Sequence, residues 1–308
     1  MTTPGHFRSS AFDPAHEPVL VREVVSLLRP RAGGFYVDAT VGLGGHTAAL
    51  LEAGAGRVLG VDRDEAALAV ARERLASAGD RVTLLHQDYR TLPALLTEPV
   101  DGMLVDLGVS SLQLDDPERG FSFKQAGPLD MRMDRSSGAT LADRLAAVDE
   151  AELADVIFRL GDERRSRRVA RAIVAARDRG ELGDTGDLAR VVRRAAGSGR
   201  WERRDPATKT FQALRLWVNR EGEGLETFLE AVAAHLSPSG RLAVIAFHSL
   251  EDRVVKHTFR RLATETETGT GIGAWQLVTR RAVQPEPDEV ARNPRARSAR
   301  LRVLERAA

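Results

Sequence analysis

A parallel, doubly wound α/β sheet interrupted by a helical insertion is the fold this sequence predicts, and three observations predict it. Short apolar and β-branched runs alternate with helix-patterned segments between residues 35 and 107. A glycine turn, Gly42-Leu-Gly-Gly45, follows the first run. After residue 110 the alternation stops, and helical patterns fill the chain until it resumes near residue 209. Alternating strands and helices imply crossover connections, hence a parallel sheet with its ligand beyond the strands' C-terminal ends.

Each element has its own reason. Residues 1–15 carry Pro, Gly and Ser without a period and read as a flexible tail. His16–Leu28 places apolar residues at helical spacing, with Pro18 tolerated near the start. Phe35–Asp38, Arg57–Val61, Val82–His86 and Val100–Leu107 are the first four strands, with helices over His46–Ala53 and Glu65–Ala76. Asp115–Phe123 is rich in turn formers. Leu141–Ala147, Glu150–Leu160, Arg164–Arg179 and Thr185–Ala196 then read as helices, the last with a cap signal in Thr185 and Asp187. Phe211–Leu236 reads as one long amphipathic helix, Pro238–Gly240 as a turn, and Arg241–Phe247 as the fifth strand. A helix follows to Arg261, then a Thr/Gly/Glu loop over Thr264–Gly273, with Trp275–Arg281 and Arg300–Glu305 completing seven strands. The expected division is a discontinuous α/β domain, 16–113 with 209–308, and a helical insertion, 114–208.

Composition narrows the chemistry. A hydrophobic share of 43% with 29% charge describes an ordinary globular chain. The absence of an eighteen-residue apolar window and of a signal-peptide pattern argues for a cytoplasmic protein with no membrane partner. Cysteine is absent, which excludes disulfides, Cys-ligated metal and a cysteine nucleophile. No His/Asp/Glu group has metal-ligand spacing, so no metal is expected. The net charge of +1 conceals a division: Arg159 to Arg215 holds sixteen Lys/Arg against eight Asp/Glu, an excess of +8, and Arg292 to Arg306 holds six Arg against one Glu. Such a stretch is either a footprint for a polyanion or a solvated helix face.

The strand tips carry the candidate site. A strand, a glycine turn and a helix start make a cradle in which backbone N–H groups approach a ligand carboxylate or phosphate. The spacing departs from the dinucleotide fingerprint G-x-G-x-x-G, since Thr47 stands at the third glycine, and a plain tight turn is the alternative. Asp62 ends the second strand eighteen residues after Gly44, placed to hold ribose hydroxyls. Tyr89 offers a ring to a purine, and Asp106 ends the fourth strand, with Gln113 shortly beyond. Asp62 or Asp106 could instead cap a helix, and Tyr89 could be core; four successive tips with suitable groups favour binding. Seven strands, this loop and the acid after β-strand two point to a Rossmann-like seven-stranded S-adenosylmethionine-dependent methyltransferase fold with a helical insertion after the fourth strand. The oxidoreductase alternative is weakened by the missing glycine. Were the acceptor a pyrimidine, methylating a ring carbon would usually need a cysteine adduct, so a chain without cysteine suits an exocyclic amine. It must be aligned and relieved of a proton. Asp106 is the first candidate for that, followed by His248 and Glu251 at the fifth tip, where His248 could equally cap the following helix or support a neighbour.

Five blocks then carry a resemblance: Asp106–Asp115, Asp130–Asp134, Thr210–Asn219, Phe247–Arg253 and Asn293–Ala299. In that order, across residues from about His16 to the end, they resemble signature blocks of the bacterial 16S ribosomal RNA (cytosine-N4)-methyltransferases, the ribosomal RNA small subunit methyltransferase H family. The resemblance implies S-adenosylmethionine contacts at Gly44, Gly45, His46, Asp62, Tyr89, Asp106 and Gln113. It also implies a decoding-centre cytidine of 16S ribosomal RNA as target, inside the small ribosomal subunit. Tyr89 replaces a frequent phenylalanine and Thr47 a more usual serine, each keeping the ring or hydroxyl. Leu-Gly-Val after Asp106 departs from the Asp/Asn-Pro-Pro-aromatic motif of many amino-methyltransferases, so the amine's acceptor has to be argued from the residues present. RNA contacts are expected from Arg164, Arg165, Arg167, Arg168, Arg193, Arg194, Arg203 and Arg204, with Trp201 able to stack on a base. Asn293–Ser298 either touches RNA or braces the cofactor pocket. A homodimer is carried as a further expectation. A methyltransferase-like RNA-binding assembly factor is the alternative to an enzyme.

Overall fold

The computed structural model describes residues 18–197, 205–267 and 275–308. The chain runs through α1 (Val21–Leu28), β1 (Phe35–Asp38), α2 (Gly45–Glu52), β2 (Arg57–Asp62), α3 (Glu65–Arg74), β3 (Val82–His86), α4 (Leu92–Leu95), β4 (Val100–Asp106) and α5 (Ser111–Asp115). Five longer helices follow: α6 (Leu141–Ala147), α7 (Glu150–Gly161), α8 (Ser166–Asp178), α9 (Thr185–Ala196) and α10 (Ala207–Val218). Then come α11 (Leu225–Ala233), β5 (Leu236–Ala246), α12 (Ser249–Glu267), β6 (Trp275–Leu277), α13 (Pro287–Arg292) and β7 (Arg300–Arg306). Two compact units result. One extends up to Asp62 and includes Ala66–Ser111 and Phe228–Ala308; the other joins Arg63–Glu65 to Leu112–Thr227.

The first unit holds a seven-stranded sheet in the order β3-β2-β1-β4-β5-β7-β6. β1 to β5 pair in parallel, but β7 runs antiparallel to both β5 and β6, so the sheet is mixed rather than wholly parallel. The apolar run of a strand encodes burial, not direction, which is why the reversal escaped the pattern. All four residues of β1 are buried. The Tyr36 ring lies against Gly102 of β4, where a Cβ would stand 2.8 Å from the ring, so glycine there is what admits the aromatic core. Because β2 leaves β1 on one side and β4 on the other, a crevice opens beyond their C-terminal ends, the ligand position of open α/β sheets. Register fixes what meets there: Asp38 pairs with Leu104, and Ala39 N–H donates to the Leu104 carbonyl at 2.8 Å. Asp38 and Asp106 thereby end adjacent strands.

The second unit is a helical bundle whose core unites Leu153 and Ile157 of α7, Val169 and Ile173 of α8, Leu188 and Val192 of α9, and Phe211 and Leu214 of α10. Helix starts are capped by Thr140, Asp149 and Asp184. The last corrects the expected cap: Asp184 accepts from Asp187 N–H, while Thr185 is the first helical residue and its hydroxyl serves Gly127 N–H.

Three further expectations change. The single helix over 211–236 is two, α10 and α11, broken at Arg220–Gly224, where Arg220, Gly222 and Gly224 all have positive φ. The apolar period continues across the break, but the first helix ends at Val218 and the chain turns left-handed at Arg220, with Gly222 and Gly224 carrying the same sense onward. The Pro238–Gly240 turn exists, with Ser239 at φ 62°, yet it is a register shift inside β5 rather than its start. The expected loop from Thr264 is helical as far as Glu267, and 268–274 lie outside the described residues.

Candidate active site

The glycine turn after β1 is held by its own backbone. Val41 N–H donates to the Val61 carbonyl at 3.0 Å, and Gly44 N–H to the Val41 carbonyl at 2.8 Å. Gly44, at φ 81°, precedes α2, and a Cβ there would meet Leu75 and Ala71 at 3.2 and 3.3 Å. Gly45 faces Pro18, whose Cγ would be 2.7 Å from an added Cβ. The turn is therefore cut to its side-chain-free shape from both sides. Gly42 N–H donates to Asp62 Oδ2 at 2.7 Å, tying the β2 acid to the loop.

Behind the loop lies a buried acid–imidazole cluster. Asp38 is fully buried; its Oδ2 accepts from the Thr47 hydroxyl at 2.7 Å and its Oδ1 from Thr40 N–H at 3.3 Å. Burial pushes its carboxyl above the usual range, against the pull of His46 and the Thr47 bond. Thr40 Oγ1 accepts from Asp106 N–H at 2.7 Å, so the β1–α2 loop also fixes the β4 tip. His46, on the first turn of α2, is 5% exposed, and its Nε2 lies 3.5 Å from Asp106 Oδ2. Burial pushes the imidazole down most strongly, but the contact and charge of Asp106, then Asp38 and Glu289, outweigh it and raise the group. Among the described residues, His46 Nδ1 and Nε2 and Asp106 Oδ1 are buried without hydrogen-bond partners.

The fifth tip carries the second expected pair. His248 Nε2 stands 2.9 Å from Glu251 Oε1, and Phe247 N–H donates to Glu251 Oε2 at 3.2 Å. Glu251 is thus buried and occupied, fixing the His248 ring rather than facing a ligand. Gly108 has φ 119°, and a Cβ there would stand 3.3 Å from the Phe247 ring. Tyr89 lies in a one-turn 3-10 helix after β3, edge-on to Phe228 at 4.7 Å, with Asp88 capping the turn and paired to Arg90 at 2.5 Å.

Gln113 belongs to the second unit. Its side-chain amide donates to Asp64 Oδ2 at 2.8 Å within a buried network that includes Arg119. Of the expected RNA-binding arginines, Arg165 donates to the Ala196 and Gly197 carbonyls and so closes α9, while Arg193 chelates Asp205 and lies over the Phe123 ring. Arg164, Arg167, Arg168 and Arg194 are exposed; Trp201, Arg203 and Arg204 lie outside the described residues.

Sequence reasoning passed over Asp38, Thr40, Thr47 as a partner, and Glu289, which accepts from Leu20 N–H at 2.8 Å. An aspartate ending an otherwise apolar central strand was the available signal for the first.

Comparison with known proteins agrees with this arrangement. A relative from Sorangium cellulosum (strain So ce56), named Ribosomal RNA small subunit methyltransferase H, is 54% identical over 295 residues, covering 94% of this chain and 90% of its own. Relatives of the same name from Geobacter sp. (strain M21) and Bradyrhizobium diazoefficiens are 47% and 48% identical, each covering 94% of this chain and 98% and 91% of their own. The family model described as the MraW methylase family matches residues 13–307. With a family match over nearly its whole length and relatives about half identical, the chain belongs to the MraW methylase family.

Proposed function

We propose that this chain methylates the exocyclic N4 amine of a decoding-centre cytidine of 16S ribosomal RNA, within the small ribosomal subunit, using S-adenosylmethionine. The residues fit that donor: a side-chain-free turn for the methionine end, Asp62 for the ribose, the Tyr89 ring for the adenine, and acids that favour a cationic ligand. Gly44, Gly45 and His46 supply the first of these and Gln113 completes the set that the family resemblance implies. When bound, the donor supplies a sulfonium methyl group that passes to the amine nitrogen as the methyl–sulfur bond breaks, its electron pair stays on sulfur, and nitrogen loses one proton.

The chain's own part is alignment and acceptance of that proton. Asp106 ends β4 at the switch point, and its buried, unpartnered Oδ1 carries this reading. The oxygen takes a hydrogen bond from the amine, turns its lone pair toward the methyl group, and receives the proton. His248, steadied by Glu251, stands at the neighbouring tip as a second group for the base or its proton. The exposed arginines of α8 and α9 supply phosphate contacts. The same arginines favour the scaffold alternative, an assembly factor whose catalysis is dispensable.

One experiment separates the two. Small subunits from a strain lacking the protein are incubated with purified enzyme and donor, and their nucleosides read by mass spectrometry. Wild type restores N4-methylcytidine and Asp106→Ala does not; equal restoration by Asp106→Ala removes Asp106 from the reaction. No N4-methylcytidine with wild type rejects the assignment.

A further inference from the structure

Resting on the reading that Asp106 receives the amine's proton, we infer that His46 is a positioning residue: its protonated ring holds Asp106 Oδ2 and so fixes the carboxylate that meets the amine. The observation is an imbalance. Two ring nitrogens and one carboxylate oxygen are buried together without partners among the described residues, although an unpaired buried polar atom is costly. A separation of 3.5 Å is long for a hydrogen bond, as contacts in ligand-free catalytic sites often are before substrate tightens them.

The surroundings decide which form of His46 is present. Three acids face it from three elements: Asp38 of β1, Asp106 of β4 and Glu289 of α13. Asp38 and Glu289 are already held, the first by Thr47 and Thr40, the second by Leu20 N–H. Of the two strand-tip acids, Asp38 has both oxygens bonded, while Asp106 Oδ1 has no hydrogen-bond partner among the described residues. Its backbone is fixed by Thr40, so the remaining freedom is rotation of the carboxylate, which a donor on Oδ2 removes. A cation supplies that donor more firmly than a neutral ring, because charge-assisted hydrogen bonds are about twice as strong. The contacts of His46 hold it protonated further up the pH scale than a free imidazole. The rate should therefore be sustained through neutrality and fall in alkali as the ring loses its proton.

The test has two readouts. Single-turnover methylation of small subunits is followed against pH at saturating donor for wild type, His46→Gln, Asp106→Asn and the double variant, with donor affinity measured separately by calorimetry. We expect His46→Gln to slow transfer about a hundredfold, the scale of a 1 Å misplacement, and to lose the alkaline limb. The double variant should be no slower than Asp106→Asn. Independently, the His46 ring is titrated by NMR in the donor-free protein, where Asp106→Asn should lower its midpoint. That comparison decides alone if His46→Gln fails to fold. An alkaline limb retained by His46→Gln, or a His46 midpoint unmoved by Asp106→Asn, overturns the inference. Absence of methylation by wild type would instead sink the assignment of function, and the NMR result would still stand.

Discussion

Two buried polar clusters, one in each unit, differ in how completely their central carboxylates, Asp64 and Asp106, are satisfied. In the helical unit, both oxygens of Asp64 are taken by Arg119, which also reaches the carbonyls of Arg132 and Met133, and Gln113 adds a further donor, so that the carboxylate is satisfied although Arg119 Nε is buried without a hydrogen bond among the described residues. Asn219 extends the pattern, accepting from Met133 N–H and donating to the Met131 carbonyl, with Arg63 donating to its side-chain oxygen. These bonds close the 130–134 loop into a fixed shape. At the strand tips, by contrast, three polar atoms of His46 and Asp106 are buried without a hydrogen-bond partner among the described residues. A satisfied network holds a fold together; an unsatisfied one held in place by its neighbours is available to a ligand. The two clusters should therefore fail in different ways when cut.

Asp106→Asn is expected to have the largest effect, and on rate alone. Removing a proton acceptor costs roughly 10²- to 10⁴-fold, whereas the amide preserves size and takes away no contact except that to His46. Single-turnover kinetics beside urea unfolding would show a lost rate at an almost unchanged midpoint. A large drop in stability would mean that Asp106 is structural and the contrast false. Arg119→Met should do the reverse. It leaves Asp64 buried with its charge uncompensated, at a cost of about 3–5 kcal/mol. Converting Asp64 to Leu in the same chain should recover much of that, because it is the stranded charge, not the lost pair, that destabilises. If the single variant unfolds no more easily than wild type, the network is not what holds the loop.

Why one cluster could be anticipated and the other not follows from how each is encoded. The glycine turn, Asp62 and the tips of the first four strands are local signals: apolar runs ended by an acid or a glycine. Helices α6, α7 and α9 were legible because their apolar period begins at Thr140, Asp149 and Asp184 or beside them. The meeting of His46 with Asp106, sixty residues apart, depends on the parallel register of β1 with β4, which no local pattern states. The same is true of β7: its composition announces a strand, while its direction is set by the path of the chain through α13. The two-helix break at 220–224 was signalled by its glycines, but the continuing apolar period outweighed them.

A third cluster sharpens the comparison, because it belongs to the sheet unit and yet is satisfied. Asp252 of α12 is buried, with Oδ1 accepting from Arg302 Nε at 2.7 Å and Oδ2 from an Arg300 terminal nitrogen at 2.9 Å, so that α12 is pinned to β7. Burial pushes its carboxyl up, but the bonds from Arg302 and then Arg300 prevail and hold it below the usual value. A lowered folded value means that the stabilisation is complete above the unfolded value near 3.8 and is lost as pH falls towards the folded one. Asp252→Asn should cost about 1.5–3 kcal/mol at neutral pH, the scale of hydrogen bonds to a charged group. Its urea midpoint should then fall less steeply than wild type between pH 4 and 2. Parallel midpoints through that range would show that the carboxylate contributes nothing by its charge.

The smallest effect tests whether satisfaction at the surface counts at all. Thr140 opens α6 with a capping box: its hydroxyl accepts from Asp143 N–H at 3.1 Å, and Asp143 in turn accepts from Thr140 N–H at 2.9 Å. Thr140→Ala removes one arm and leaves the helix-start N–H to water, at a cost of about 1 kcal/mol. Serine at 140 should restore it, since the bond needs only the hydroxyl. The loss should be the same with or without donor present, as nothing in the cap belongs to the strand tips. A donor-dependent change in the Thr140→Ala midpoint would show that the helical unit is coupled to binding, and that the two clusters cannot be treated as independent.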